Sequence, residues 1–261
     1  MNNPYFYSRL FLLSAFILLL QACRKNKSND NVNNNDTAEY VVKEVHALGE
    51  LKNSYEYNDT WELIKSTNVE HVNARTIYTI EASYFYNNDG LLERTEFTTT
   101  GPSAYQPATI EYTYNNQGRL TASKALKKNG DLLYKDEYDY NGQTITATHS
   151  IDTVYYVTTY TIDGRGNIVK AAKDDHTPGN NDYNEEWQDF DDKKNVGGRR
   201  VGDISSKNNP RRYILSAPRR STDETLMTYT YNGAGYVTSC KQSKTSFGNT
   251  YVTDYILSPK Q

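Results

Sequence analysis

The sequence predicts an all-β protein. We expect an antiparallel β-meander of about a dozen strands, built from repeated hairpins and curled into an open or barrel-like sheet. Three observations carry this. A Tyr-x-Tyr pair or a close variant recurs along the chain. Most copies run straight into Asn or Asp with a nearby Gly, the residues of tight reversals. Residues 39–261 show no convincing helical period.

The first 38 residues stand apart from that pattern. Residues 10–20, LFLLSAFILLL, form one apolar run after a single charge, Arg9. The run is too short to span a hydrocarbon layer of about 30 Å and suits a secretory signal over residues 1–22. It ends in Leu20-Gln21-Ala22-Cys23. That segment resembles the lipobox of bacterial lipoproteins, which implies cleavage before Cys23 and acylation of its sulfur. Residues 23–38 are then an acylated Cys and an Asn-rich tether, too polar to bury a core. Arg24 to Lys27 are basic on balance, so the sequence leaves open whether the protein faces the periplasm or the cell surface. The other cysteine, Cys240, reads as a small strand residue.

The repeats follow within one domain, residues 39–261. They are YEYNDTWELIKS (55–66), YFYNNDGLLER (84–94), YTYNNQGRL (112–120), YDYNGQTIT (138–146), YTIDGRGNIVK (160–170) and YTYNGAGYVTS (229–239). A degenerate copy, DFDDKKNV, spans 189–196. Taking the second aromatic or its substitute as marker gives Tyr57, Tyr86, Tyr114, Tyr140, Ile162, Phe190 and Tyr231, at steps of 29, 28, 26, 22, 28 and 41. Each unit reads as two strands and two turns. Alternation puts Ile110, Tyr112 and Tyr114 on one side, with Glu111 and Thr113 on the other. Tyr84 and Tyr86, and Tyr138 and Tyr140, repeat that phase. One face is therefore a tyrosine stripe and the other is wet. The chain holds 24 Tyr against 7 Phe and 2 Trp, so tyrosine must do much of the packing.

The unit Tyr-x-Tyr-Asn-x-x-Gly-x-Leu resembles the YD repeats of RHS-type proteins. Together with the lipobox, the Asn-rich tether and Asp191-Asp192-Lys193-Lys194-Asn195, it is similar to a family of uncharacterised Bacteroidetes lipoproteins described as having a porin-like fold. Here Val196 follows, where that family has Pro. The resemblance implies a curled β-sheet and an envelope address and supplies no catalytic residues. A membrane-spanning barrel would need a lipid-facing apolar band, and neither face offers one. The expectation is a sheet held at the membrane by lipid alone.

Two features suggest ligands. Residues 174–192 hold eight acids and no Lys or Arg, whereas 193–220 hold nine bases and one acid. Within the basic block, Arg199, Arg200, Arg211 and Arg212 suit phosphate, sulfate or carboxylate, because guanidinium forks bind such groups bidentately. The alternative is that the two blocks face and neutralise each other. The second feature is the stripe Tyr84, Tyr86, Tyr112, Tyr114, Tyr138 and Tyr140, whose faces could stack on sugar rings or could be core. The four His are scattered without metal-ligand spacing, and no nucleotide, hydrolase or metalloprotease motif is present, so neither metal nor cofactor is expected. A net charge of −3 gives no nucleic-acid footprint. The expected role is a non-catalytic binding or structural module of the cell envelope, anchored to the outer membrane by lipid, with a glycan as leading ligand. Assembly with another envelope protein is the alternative, and a glycoside-acting hydrolase the third reading.

Overall fold

The computed structural model describes residues 39–73, 76–100, 107–152, 154–176, 182–195, 200–201, 204–218, 221–245 and 248–260. The signal segment, the tether and Cys23 lie outside them. The strands are β1 (Tyr40–Ala47), β2 (Glu50–Tyr57), β3 (Leu63–Asn73), β4 (Thr76–Tyr86), β5 (Leu92–Thr99), β6 (Thr109–Tyr114), β7 (Leu120–Leu126), β8 (Leu132–Asn141) and β9 (Thr144–Ile151). They continue as β10 (Val154–Ile162), β11 (Ile168–Asp175), β12 (Tyr183–Gln188), β13 (Arg200–Val201), β14 (Ile204–Ser205), β15 (Arg212–Ser216), β16 (Asp223–Tyr231), β17 (Val237–Lys244) and β18 (Thr250–Pro259).

Sixteen strands close into one antiparallel meander barrel, while β13 and β14 pair only with each other. The sequence suggested about a dozen. The excess has two sources: β12 and β15 flank the degenerate copy at 189–196, and β1 and β18, which carry no Tyr-x-Tyr-Asn copy, zip together from Tyr40↔Pro259 to Ala47↔Thr253 and complete the ring. Closure removes the unpaired edges that an open sheet would expose.

The repeat builds one end of the barrel. Turns after β2, β4, β6, β8, β10, β12 and β16 all lie at the end where the chain enters at Tyr40 and leaves at Pro259. We call this end the base and the other the mouth. In the base turn after β6, the Asn115 side-chain oxygen accepts from the amides of Gln117 and Arg119, each at 3.0 Å. Asn58, Asn87, Asp163 and Asn232 do the same in their own turns. Gly118 then takes a φ of 70°, and the register shifts between Thr113 and Tyr114. This is a tight turn closed by a left-handed residue and a bulge. In the first copy Trp61 occupies the glycine position, with φ of 63°. The short step of 22 arises because both reversals of this unit are tight, Asn141 pairing with Thr144 and Ile151 with Val154.

The tyrosines point inward. Tyr84 and Tyr134 are buried, as are Ala82, Ala125, Ile145, Ile168 and Ala171 on the same phase. The second Tyr of each pair reaches sideways to the preceding strand: Tyr86 to the Leu63 carbonyl (2.9 Å), Tyr114 to Leu92 (2.8 Å) and Tyr140 to Leu120 (2.8 Å). A sixteen-stranded porin leaves an aqueous channel. Here buried Tyr, Leu and Ile line the inner wall in two clusters, one over β1 to β5 and one over β9 to β12.

The long step of 41 is an insertion, residues 189–211, that crosses the base. Ser206 accepts from the Ile168 amide, Asn208 and Asn167 exchange hydrogen bonds, and Lys194 bridges Tyr236. Asp191, buried, receives the lumen-facing Tyr231 hydroxyl and binds Asn209. The insertion thus ties the turn after β10 to the turn after β16.

Candidate functional site

The outer wall comes first, because it decides what the barrel can sit in. Lys65 pairs with Glu81 (3.0 Å), Lys135 with Glu137 (2.6 Å) and Arg94 with Glu96 (3.0 Å), all on outward positions. Glu111, Lys124 and Lys135 stand in one cross-strand row over β6, β7 and β8. Each Lys or Arg at a bilayer midplane costs about 2–4 kcal/mol. The outer face of β3 to β8 therefore carries residues suited to water and not to hydrocarbon.

The lumen wall is divided. Apolar clusters line it as described. Its mouth half carries charge, concentrated on β8 to β12. Tyr112, Ser123, Asp136, His149, Tyr156 and Asp175 are successive cross-strand partners and form one rung over β6 to β11. Ser123 Oγ donates to Asp136 Oδ2 at 3.3 Å, and Asp136 Oδ1 lies 2.6 Å from His149 Nδ1. The His149 ring stacks on Tyr156 with centroids 4.6 Å apart, and lies 5.2 Å from Tyr134. Lys173 Nζ sits 4.1 Å from the Tyr156 centroid, 5.6 Å from that of Tyr183, and 3.1 Å from Asp175 Oδ2. Beside them the buried Glu185 accepts from the Tyr213 hydroxyl at 2.7 Å. Burial, then the Asp136 charge, pushes the Tyr134 and Tyr156 phenols well above their ordinary value. The cluster thus offers carboxylates, an ammonium and flat aromatic faces within one wall.

Of these groups the sequence analysis singled out Tyr112, in the stripe, and Asp175 and Glu185, in the acidic block; Asp136, His149, Tyr156 and Lys173 belong to no motif. The signal was phase: Asp136 shares the parity of Tyr138 and Tyr140, so it is a charge on the buried side of its strand. His149, Lys173 and Asp175 are likewise in phase with inward Ile145 and Ala171.

The residues that motif reasoning did choose are dispersed. Of the tyrosines, Tyr84 is buried against Ser66 Oγ (2.8 Å) and Tyr112 meets Thr95 (3.3 Å). Tyr86, Tyr114 and Tyr140 are half-buried near the base, and Tyr138 packs into the lumen core. Of the arginines, Arg199 lies outside the described residues, and Arg200 is placed in β13 by its backbone. Arg211 is exposed at the base. Arg212, on the outer wall, is held by Glu224 and by Gln188 Oε1 (3.2 Å). Among the described residues, the charge blocks do not face each other as wholes. Asp174, Asp175 and Asp182 lie toward the mouth, whereas Lys193, Lys194, Lys207 and Arg211 lie at the base. Contact between the blocks is local, as in Lys193–Asp192 at 3.6 Å.

Among solved structures, the barrel is similar to a porin-like protein from Bacteroides vulgatus ATCC 8482, at 13% identity, covering 83% of this chain and 98% of that one, with a TM-score of 0.51. A porin-like protein from Bacteroides uniformis ATCC 8492 matches at 15% identity over 79% of this chain and 89% of that one, with a TM-score of 0.39. A TcdB2-TccC3-Cdc42 complex matches at 11% identity over 80% of this chain and 12% of that one, with a TM-score of 0.29. Only the first overlaps well enough to describe the fold, and it describes the fold alone. No protein-family model matches the chain, and no curated protein matches it.

Proposed function

We propose that this protein is a non-catalytic barrel of the cell envelope, anchored through Cys23, that binds a saccharide in the mouth half of its lumen. The observation that carries this reading is the rung from Tyr112 to Asp175, polar and aromatic, between apolar clusters on the same inner wall. Aromatic faces and carboxylates on a rigid wall are the groups that stack on and hydrogen-bond to sugars. The lipobox-like segment supports the anchor. The porin-like fold of the first Bacteroides neighbour supports the envelope address. The charged outer wall supports an anchor by acyl chain over insertion of the strands. A tether entering at the base would leave the mouth facing away from the membrane.

The test is a thermal-shift screen of the full chain in detergent against neutral and acidic oligosaccharides. A ligand at a hundred times its dissociation constant stabilises by about 2.7 kcal/mol. A shift lost in Asp136→Asn supports the lumen site. A shift lost only in Arg211→Ala/Arg212→Ala moves the site to the base. No shift with any sugar overturns the saccharide reading. Radiolabelled fatty acid incorporated by the wild type and not by Cys23→Ser tests the anchor.

One observation favours the assembly reading. Leu48, Leu51 and Tyr251 are 69%, 38% and 44% exposed on neighbouring elements at the mouth. Loss of a co-purifying envelope protein in Leu48→Glu, with sugar binding intact, would favour a docking role for that rim.

A further inference from the structure

We infer that the lumen site is selective for an amine-bearing sugar over an acidic one. This rests on the reading of the lumen as a saccharide site and names the charge its ligand must carry.

Three observations lead there. The rung sets two carboxylates, Asp136 and Asp175, beside one ammonium, Lys173. An incoming carboxylate or phosphate meets that excess at short range, in a wall where Asp175 and Lys173 keep only 5% and 11% of their side-chain exposure and screening is weak. The wall also already recognises an ammonium. Lys173 Nζ is held by the face of Tyr156 at 4.1 Å, the face of Tyr183 at 5.6 Å and the Asp175 carboxylate at 3.1 Å. Aromatic faces beside a carboxylate form the surroundings that favour a cation when water is thinned out. Finally, the basic residues at the base cannot reverse the sign, because the length of β11 and β12 separates them from the rung.

The geometry fixes a consequence. Lys173 occupies the cage from within, so a ligand ammonium either displaces it or shares its carboxylates. Removing the lysine charge therefore tightens binding of an ammonium, and removing Asp175 loosens it.

The experiment is isothermal titration of the full chain in detergent with glucosamine, N-acetylglucosamine, glucuronate and tetramethylammonium. We expect glucosamine to bind at least about tenfold more tightly than glucuronate. Lys173→Met should strengthen glucosamine binding and Asp175→Asn should weaken it, so the inference does not hang on one variant folding. Glucuronate binding as tightly as glucosamine would overturn it. Equal binding of N-acetylglucosamine and glucosamine would also overturn it, while leaving the saccharide reading standing. Tetramethylammonium binding without any sugar binding would keep the cationic site and remove the saccharide. No binding by any probe would remove both.

Discussion

Asp136 and His149 are directly opposed on β8 and β9, and their Oδ1 and Nδ1 atoms are 2.6 Å apart inside the lumen. Side-chain exposures of 17% and 14% mean that neither group can turn fully to water if the other is removed. Stranding a charged partner in such a place is more damaging than deleting the pair. His149→Ala should therefore lower stability by about 1–3 kcal/mol. The double change Asp136→Ala/His149→Ala should lower it by less than the two singles combined. Denaturant unfolding of the full set in a double-mutant cycle checks this. Strict additivity would mean that the contact is energetically idle.

The base turns make an internally controlled prediction. Asn115 accepts two amide hydrogen bonds that close its turn. Asn115→Ala leaves those amides to water and should destabilise by about 1 kcal/mol, or about 2–4 °C in Tm for a chain of this size. Asn115→Asp should be close to neutral, because Asp163 already fills the equivalent place in another turn. There burial works against the charge, yet the amides of Asn167 and Arg165 hold its carboxyl below the ordinary value. Scanning calorimetry of both variants decides, and equal losses would mean that the acceptor chemistry is not what matters.

These turns are also where the sequence was most legible. The Asn, the Gly and the alternating tyrosines state a reversal and two faces, and all of that survives in the hairpins. Closure was not legible, because β1 and β18 come from opposite ends of the meander without a copy of the Asn turn, and the Lys260–Glu39 pair beside them joins residues 221 positions apart. The site was half legible. Asp136 lies in a run of charges, Lys135 to Glu137, and only its parity separates it from solvent neighbours. Its partner His149 is thirteen residues away, brought opposite by a turn that no pattern search would treat as part of a site.

Trp61 tests strain against packing. Its φ of 63° stands where Gly90, Gly118, Gly166 and Gly235 serve the other turns. A left-handed backbone costs a side-chain-bearing residue about 1–2 kcal/mol. The indole recovers some of this against Tyr57, at 6.5 Å between ring centroids, and beneath Lys43. Trp61→Ala keeps the strain and loses the packing, whereas Trp61→Gly loses both. The glycine variant should therefore be more stable than the alanine variant by about 1 kcal/mol. The reverse order in urea unfolding would show that the turn is not strained at this position.

The last prediction concerns alkali. Tyr84, Tyr134, Tyr156 and Tyr229 all have phenols pushed far above the ordinary value, chiefly by burial. A group whose folded pKa is raised binds its proton more firmly in the barrel than in the unfolded chain. Its contribution is complete below the unfolded pKa, near 10, and is lost as pH climbs above that value. Several such phenols act together, so stability should fall steeply above about pH 10. Phenolate absorbance should rise in two stages. The first stage should be reversible, with the sheet intact. The lumen tyrosines should follow in one cooperative step that coincides with loss of the β-sheet signal in circular dichroism. A single smooth titration with the sheet intact would mean that water reaches the lumen phenols.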